Sequence, residues 1–282
     1  MNPFRNGPSA SSIPAAFYRG GTSNALMIQR WHLPDDESHW EPILAGALGS
    51  PDSYERQLNG MGGGISSLSK VCVVEPSCRL DADVDFTFVQ VGVIDGAVDT
   101  EGTCGNMTAA VGPFAVDEKI IHPLVQDDGS EPFVIVRIFN TNTNKIVHSR
   151  CLVEGVPPCF KSIGEYSIDG VPGTGSRVTL TFLSPGGSKT GQTLPTNHPV
   201  DCLEAPNPSH SIRASLVDIA NPAIFVFASD FGISGSISPR ELDENAAVMA
   251  TLENVRQQGA RMMGLDPHIA SIPKIAVVSA AQ

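Results

Sequence analysis

The sequence predicts an α+β protein of two domains. Segments that alternate like strands outnumber helical ones, and strand-rich blocks lie on both sides of residue 130. The stretch from Cys104 to Val116 is apolar nearly all round, which is typical of a helix enclosed by other elements. These patterns favour sheets that each wrap a buried helix over a doubly wound βαβ fold. We therefore expect a disordered Pro- and Ser-rich tail over 1–12, a first domain over 13–130 and a second domain over 131–282.

The first domain is predicted to begin with a strand that ends in a polar turn. An amphipathic helix is expected from Asp35 to Leu48, where acidic residues come first and apolar residues recur at helical spacing. We expect the apolar helix after Cys104 to be interrupted or to end at Gly112-Pro113. Strands are predicted over Ile13–Tyr18, Lys70–Val74 and Val84–Ile94.

In the second domain, a polar turn rich in Asn and Thr separates two apolar segments, as in a hairpin. Ser238 is a predicted N-cap, because Pro239 and Glu241 complete a capping box, and the helix should run to about Met263. The last strand signal has no covering element after it, so we expect the domain to be incomplete in isolation. Strands are predicted over Phe133–Phe139, Ile146–Val153, Arg177–Leu183, Ile212–Ala228 with a break at Asn221-Pro222, and Ile272–Gln282.

Composition limits the function classes. The chain has 282 residues, 41% of them hydrophobic, so it can bury a sizeable core. Its 30 acidic and 18 basic residues give a net charge of −12, which disfavours nucleic acids and anionic membranes as partners. No apolar run approaches the roughly 20 residues needed to span a bilayer, and the start does not resemble a signal peptide, so we expect a cytoplasmic protein. The composition leaves open whether the protein forms a homo-oligomer.

The sequence lacks the motifs of several kinds of site. The six cysteines and seven histidines show neither CxxC nor HExxH spacing, so we expect reduced thiols and no metal. The segment 60–65 fails the dinucleotide pattern GxGxxG, because Ile65 occupies the last glycine position and a strand follows. The segment 186–190 lacks the Gly-Lys-Ser/Thr order of a P-loop, and GxSxG is absent.

Cys104 is the first candidate for a reactive side chain. It stands directly before the apolar helix, where the positive end of the helix dipole favours a thiolate. The backbone N–H groups of Gly105, Asn106 and Met107 are placed to approach a bound carboxylate, as helix N-termini do. The structural alternative is a small residue packed at a tight helix start.

Lys70 is the second candidate. It follows a Gly- and Ser-rich loop and precedes the apolar run from Val71 to Val74, so we expect it to be partly buried. Burial disfavours an ammonium ion and brings part of a lysine population into the base form that abstracts protons. The loop also supplies the hydroxyl groups of Ser66, Ser67 and Ser69. The alternative is a lysine whose charged end extends to solvent from the end of a strand.

Several motifs occur in a specific order along nearly the whole chain after residue 12. The first half contains Ile13-Pro14, Arg19-Gly20-Gly21-Thr22-Ser23, Gly49-Ser50-Pro51-Asp52, the run from Gly62 to Lys70, and the run from Cys104 to Phe114. The second half contains Val136-Arg137-Ile138, Pro195-Thr196, Val200-Asp201, Asn221-Pro222, Met263-Gly264-Leu265 and Pro273-Lys274-Ile275. In these motifs the sequence resembles the PrpF family of 2-methylaconitate isomerases and tautomerases.

The resemblance implies a diaminopimelate-epimerase-like fold, in which two domains each wrap a β-sheet round a central helix and the active site lies between them. Family members continue past the strand that ends here, so the second domain is expected to be truncated relative to the family. By the resemblance, Lys70 matches the catalytic lysine, Cys104 the active-site cysteine and Lys274 a lysine near the substrate carboxylates. The other candidates for substrate binding are Arg19, Thr22, Ser23, Gly63, Gly64, Ser66, Ser67, Gly105, Asn106 and Met107.

The resemblance further implies proton shifts on small di- or tricarboxylates without a cofactor. We expect an isomerase that removes a proton from an aconitate-type substrate and returns it elsewhere, with Lys70 as base and Cys104 as acid or positioning group. Backbone N–H groups, those of Gly63 and Gly64 among them, would hold the developing enolate charge. Epimerisation is an alternative, although the two-cysteine version needs a second cysteine at a helix start. A non-catalytic binding protein is another, because Asn24-Ala25 stands where the family commonly has Lys-Gly.

Overall fold

The computed structural model describes residues 12–205 and 211–280. The tail predicted over 1–12 lies outside these residues, apart from Ser12. The chain divides into two compact units, Met1–Ser184 (unit 1) and Pro185–Gln282 (unit 2). The boundary expected near residue 130 falls inside unit 1, because the strands that follow it continue the first sheet.

Unit 1 consists mainly of strands. The strands are β1 (Ala16–Gly20), β2 (Ser23–Gln29), β3 (Lys70–Pro76), β4 (Val84–Val91), β5 (Val98–Asp99), β6 (Phe133–Asn140), β7 (Lys145–Glu154), β8 (Cys159–Phe160), β9 (Tyr166–Ile168), β10 (Val171–Gly175) and β11 (Thr179–Phe182). The helices are α1 (Trp40–Leu48) and α2 (Gly105–Asp117).

The main sheet of unit 1 has the order β1-β2-β3-β4-β6-β7-β11, with β5 beside β4 and β8 beside β7. The pairs β2–β3 and β4–β6 are parallel, so the sheet is mixed. The predicted hairpin is confirmed, since β6 and β7 pair antiparallel from Phe133↔Leu152 to Asn140↔Lys145. Strands β9 and β10 form a separate antiparallel pair.

Helix α2 lies in the concave face of this sheet. It contacts strands from β1 at one edge to β11 at the other, so the sheet forms a half-barrel around it. The helix side chains of Met107, Val111 and Phe114 are at most 1% exposed and share one core with residues of β2, β3, β4, β6 and β7. The prediction of an enclosed apolar helix is confirmed, and its burial is what the lack of a polar face requires.

The expectation that α2 breaks at Gly112-Pro113 is wrong. The helix continues through both residues to Asp117. A Cβ atom on Gly112 would stand 2.5 Å from Ser149 Oγ on β7, so glycine allows the close approach of helix and sheet. Packing on several sides therefore holds the helix together despite the roughly 3 kcal/mol that an interior proline costs an isolated helix.

The other face of the sheet is covered by α1. Trp40, Leu44 and Leu48 pack there in a second core with residues of β2, β3 and β4. The helix begins later than predicted, because a 3₁₀ turn over Glu37–His39 precedes it. It ends at Gly49, whose φ of 81° suits the left-handed conformation that commonly terminates helices.

Unit 2 is a four-stranded sheet covered on one face by a helix. Its elements are β12 (Asp201–Glu204), β13 (Ser211–Ile219), β14 (Asn221–Phe227), α3 (Pro239–Asp243), α4 (Ala246–Met262) and β15 (Lys274–Val278). The strands lie in the order β12-β13-β14-β15, with β15 parallel to β14. Val255 of α4 packs among the apolar residues of the sheet.

The helical region of unit 2 differs in part from its prediction. The capping box of Ser238 and Glu241 is confirmed. The expected single helix is two, because Asn245 caps the start of α4 with its own side chain. None of the helices within residues 12–205 and 211–280 has the length and apolar character needed to cross a bilayer.

Candidate active site

The predicted site residues of unit 1 gather at one end of the half-barrel. Strands β2 and β3 run parallel and both begin at this end, and the antiparallel β4 ends there. The β1–β2 turn lies against the first turn of α2, which places the helix N-terminus at the same end. Side chains from four separate segments of the sequence therefore meet around the start of α2.

Lys70 is the first residue of β3 and points toward α2. Residues of a strand alternate between faces, and Cys72 and Val74 belong to the core around α2, so Lys70 shares their face. The lysine is only 7% exposed. Its Nζ donates a hydrogen bond of 2.5 Å to Gln90 Oε1 and lies 5.3 Å from the centre of the Phe88 ring.

Gln90, at the end of β4, is a site residue that sequence reasoning missed. It pairs with Lys70 across the antiparallel strands β3 and β4. Its Nε2 donates to the carbonyl oxygens of Ser66, at 3.1 Å, and Ser69, at 2.9 Å. The sequence did carry a signal, since Gln90 is the polar member of an alternating row in which Phe86 and Phe88 face the core.

Cys104 is the N-cap of α2, with φ −126° and ψ 107°. Its thiol is partly exposed. Its carbonyl oxygen accepts hydrogen bonds of 2.9 Å from both the backbone N–H and the hydroxyl of Thr108. The Cys104 side chain makes no capping hydrogen bond. The first N–H groups of α2, from Gly105 to Met107, thus point outward as helix N-termini do.

Cys72 is a neighbour of both Lys70 and Cys104. Its thiol is completely buried on β3. Burial raises the pKa of Cys72 well above its ordinary value, the neighbouring Cys104 raises it further, and the positive charge of Lys70 acts in the opposite direction. Both candidate reactive groups therefore lie within electrostatic reach of the same buried sulfur.

The β1–β2 turn is fastened to α2 through Asn106. The Nδ2 of Asn106 donates to Thr22 Oγ1 at 2.9 Å and lies 3.4 Å from Ser23 Oγ. A hydroxyl that accepts a hydrogen bond keeps its own hydrogen to donate. Thr22 is exposed and Ser23 is buried beside it, so the turn offers two hydroxyl groups next to the helix N-terminus.

The glycine-rich loop before β3 is organised by Gln57. This buried side chain donates through Nε2 to Ser50 Oγ and Ser69 Oγ, both at 2.8 Å, and accepts from the N–H of Gly64 at 2.9 Å. The N–H of Gly63 donates to the carbonyl oxygen of Leu68 at 3.1 Å. Both glycine N–H groups expected to face an enolate are thus already used within the loop, which corrects that expectation.

A buried turn braces the segment that leads into α2. Asn140 Nδ2 donates to Thr103 Oγ1 at 2.7 Å, and Asn140 Oδ1 accepts from the N–H and hydroxyl of Thr143, each at 3.0 Å. Asn142 bonds the N–H and the carbonyl of Phe88 on β4, at 2.8 and 2.9 Å. The turn was predicted only as a hairpin loop, but its amides fix the residue before Cys104.

The remaining predicted residues are placed as follows. Ser66 and Ser67 lie in a 3₁₀ turn directly before β3, and Ser66 contributes the carbonyl that binds Gln90. Arg19 is exposed on β1, on the face opposite Tyr18, which packs on α2, and its Nη1 donates to Gly21 O at 2.8 Å. Strand alternation therefore separates Arg19 from the face of Lys70, contrary to expectation.

Two further predictions concern Met107 and Lys274. The Met107 side chain is fully buried in the core around α2, so only its backbone belongs to the helix N-terminus. Lys274 is the exposed first residue of β15 in unit 2, and its contact with a substrate carboxylate stays a prediction.

Comparison with known proteins identifies relatives of the whole chain. The 3-methylitaconate isomerase of Eubacterium barkeri is 38% identical over 253 residues, which cover 90% of this chain and 63% of that protein. The 2-methyl-aconitate isomerase of Shewanella oneidensis is 32% identical over 287 residues, covering 96% of this chain and 70% of that protein. The chain thus spans roughly two thirds of the length of these relatives.

A solved structure supports the fold assignment. The crystal structure of a methylitaconate-delta-isomerase matches the chain with a TM-score of 0.68 at 37% identity, covering 95% of this chain and 68% of that one. The family model described as PrpF protein matches residues 10–282. Because that match includes nearly every residue and the named relatives are isomerases, the chain belongs to the PrpF family of isomerases.

Proposed function

We propose that this chain acts as a cofactor-independent isomerase that moves a proton on a small unsaturated di- or tricarboxylate of the aconitate type. The observation that carries the proposal is the convergence of Lys70 and Cys104 on Cys72, at the end of the half-barrel where α2 begins. The names of the relatives, which act on methylitaconate and methylaconitate, support the substrate class.

Lys70 is the proposed base. Burial in general favours the neutral form of an amine, and the lysine is held in one place by Gln90. In the proposed step, Nζ takes a proton from a carbon next to the conjugated carboxylate system. The electron pair of the broken C–H bond spreads into that system as an extended enolate. Return of one proton to another carbon of the system completes the isomerisation with no net change in electrons or atoms.

The start of α2 is the proposed anion site. The N–H groups of Gly105, Asn106 and Met107 lie at the positive end of the helix dipole, and Thr22 and Ser23 add hydroxyl donors beside them. A chain with a net charge of −12 repels an anionic substrate at long range, so local donors of this kind are needed. The same donors would hold the negative charge that develops on the enolate.

Cys104 is the proposed second proton carrier. It sits at the same helix end as the anion site and shares the neighbourhood of Cys72 with Lys70. Lys70 removes the proton and Cys104 delivers one to the second carbon, after which the Lys70 ammonium ion loses a proton to solvent and the Cys104 thiolate takes one up, so both groups are restored. The two steps can be distinguished experimentally. Exchange of substrate hydrogen with solvent needs only Lys70, whereas isomerisation needs both residues.

The test uses the 282-residue chain in deuterated water with trans-aconitate, 3-methylitaconate and 2-methylaconitate as alternative substrates. We expect deuterium in recovered substrate and product, detected by NMR. The Lys70→Ala variant should lose both exchange and turnover by at least about a hundredfold. Cys104→Ser should lose turnover while keeping more of the exchange. Lys161→Ala, which removes a lysine paired with Glu131 on unit 1, is the matched control and should keep both.

Two results would count against the proposal. Full activity in Lys70→Ala, with circular dichroism showing a folded protein, rejects Lys70 as the base. Absence of exchange and turnover on every carboxylate by the intact chain, combined with measurable binding in calorimetry, would show a binding protein of this fold instead of an isomerase.

A further inference from the structure

We propose that Gln90 is a positioning residue for Lys70. The neutral amide oxygen of Gln90 holds the Lys70 amine, and the contacts of the Gln90 amide nitrogen with the glycine-rich loop fix the direction of that oxygen. The inference rests on the proposed function of Lys70 as the base. Gln90 does not need to touch the substrate for this role, because it acts through the lysine.

The placement of the two residues comes from the sheet register. Lys70 and Gln90 are direct partners in the antiparallel pair of β3 and β4, so their side chains lie side by side on the same face. The contact between Nζ and Oε1 is 2.5 Å, which is short for a hydrogen bond to nitrogen. The register and this contact therefore direct the lysine side chain before any substrate binds.

The orientation of the Gln90 amide is determined by its other contacts. Its Nε2 lies 3.1 Å from Ser66 O and 2.9 Å from Ser69 O, and carbonyl oxygens only accept hydrogen bonds. The amide nitrogen must therefore face the loop and the amide oxygen must face Lys70. A lysine amine in turn carries hydrogens to donate in both its charged and its neutral state.

A neutral acceptor suits a base that changes its protonation state in each cycle. An amide oxygen holds the ammonium ion without the full charge that a carboxylate would add. A carboxylate at this distance would strongly favour the ammonium form and leave little neutral amine. An apolar side chain would remove the contact and disfavour the ammonium form in this buried place. The side chain at position 90 should thus set both the direction and the basicity of Lys70.

Other groups near Lys70 stay the same in every variant of Gln90. They are the Phe88 ring on β4, the thiol of Cys72 on β3, the Cys104 thiol that neighbours Cys72, and Asp99, which pairs with Gln90 across β4 and β5. Because none of them is substituted, a difference between variants reports on position 90 itself.

The test compares Gln90→Met, Gln90→Glu and the wild-type chain. Acylation of Lys70 by acetic anhydride, followed peptide by peptide in a mass spectrometer over a range of pH, measures the neutral amine without requiring turnover. We expect the midpoint for Lys70 to move up by about one to three pH units in Gln90→Glu, as for a charge partner in contact, and to move down in Gln90→Met. The lysines of unit 2 serve as internal references.

Gln258 provides a matched control on α4. Like Gln90, this half-buried glutamine donates through its amide nitrogen to a backbone carbonyl, that of Glu204, but its amide oxygen accepts from the Glu204 N–H instead of from a lysine. Gln258→Met and Gln258→Glu should leave the Lys70 midpoint unchanged. Thermal unfolding of all variants identifies any that are not folded. If Gln90→Glu does not fold, the comparison of Gln90→Met with the wild-type chain still tests the proposal.

Steady-state kinetics supply the second readout. We expect Gln90→Met to lower kcat by at least about tenfold with KM within about twofold, and Gln90→Glu to move the pH profile toward alkaline pH in step with the acylation midpoint. Equal midpoints in all three proteins, or an unshifted pH profile in a folded and active Gln90→Glu, overturn the proposal while leaving Lys70 as base. Shifted midpoints in a chain that turns over no carboxylate would uphold the positioning and reject the proposed function.

Discussion

Gly20 lies so close to Asn106 that a Cβ atom on Gly20 would stand 2.2 Å from the Asn106 carbonyl oxygen. Gly21, which has a φ of 50°, is similarly close to the Asn106 side chain. The β1–β2 turn can therefore rest on the first turn of α2 only because both positions lack a side chain. This contact places the hydroxyls of Thr22 and Ser23 beside the helix N-terminus.

Gly20→Ala should separate the turn from the helix. The new methyl group would meet backbone atoms, which cannot rotate away, so we expect a loss of about 1 to 3 kcal/mol in the free energy of unfolding. Affinity for a carboxylate should fall as well, because the hydroxyls move away from the N–H groups of α2. Urea denaturation and calorimetric titration with trans-aconitate measure the two effects.

Gly46→Ala is the control for this substitution. Gly46 lies on the exposed side of α1, and a Cβ atom there would meet no neighbouring group within 4 Å. Alanine at this position should therefore be neutral or stabilise the helix by up to about 1 kcal/mol. If Gly20→Ala proved as harmless as Gly46→Ala, the close contact between turn and helix would not exist in solution.

The cysteines should differ widely in their reaction with iodoacetamide. Burial raises the pKa of Cys72 well above its ordinary value, and burial followed by the charge of Asp117 raises the pKa of Cys151 to about 12. At pH 8 a thiol with such a pKa has about a thousandfold less thiolate than an ordinary one. We expect both to react only after unfolding, whereas the exposed thiols react in the folded chain: Cys78, Cys159 and Cys202.

Cys104 should react in the folded chain too, because its thiol is partly exposed at the helix start. Peptide mass spectrometry of timed samples gives the order of labelling, and saturating carboxylate should slow the reaction of Cys104 alone. Labelling of Cys72 as fast as Cys78 in native buffer would contradict its position beneath the site.

Asp218 should make the stability of unit 2 depend on acid pH. Its buried carboxylate accepts hydrogen bonds from Ser188 Oγ at 2.5 Å, from the N–H groups of Lys189 and Thr190 at 2.8 Å, and from Thr190 Oγ1 at 3.0 Å. Burial by itself would raise the pKa of Asp218, but these hydrogen bonds together lower it. The stabilisation of the folded state by the ionised Asp218 carboxylate is therefore complete above the carboxyl pKa of the unfolded chain, about 4. It is lost as the pH falls through the lower pKa that Asp218 has in the folded chain.

We expect Asp218→Asn to lower the free energy of unfolding by about 1 to 3 kcal/mol at pH 7, measured by urea denaturation. The difference from wild type should narrow below about pH 4, where the wild-type carboxylate also becomes protonated. Asp266→Asn, at an exposed position of the same unit, should change the free energy of unfolding little at either pH. A difference for Asp218→Asn that is the same at pH 7 and pH 3 would refute the assigned role of its charge.

The candidate site was predictable where a local pattern identifies it. Cys104 is visible as the residue before an apolar helix, and Lys70 as the polar residue between a glycine-rich loop and an apolar strand. Gln90 and Asn140 were missed because their importance depends on partners 20 and 37 positions away in the sequence. A pairing over such a separation is fixed by strand register, which single-residue patterns do not encode.

By itself the sequence determined the local elements of this protein: the hairpin of β6 and β7, the capping box at Ser238 and the enclosed helix after Cys104. These depend on periodicity and on contacts within a few residues, so short segments contain the whole signal. Only the tertiary structure decided that α2 passes through Pro113, that Arg19 faces away from Lys70, and that the glycine N–H groups are used inside their own loop. Each of these results depends on which distant surfaces pack together, because packing energy outweighs local preference wherever many buried contacts meet.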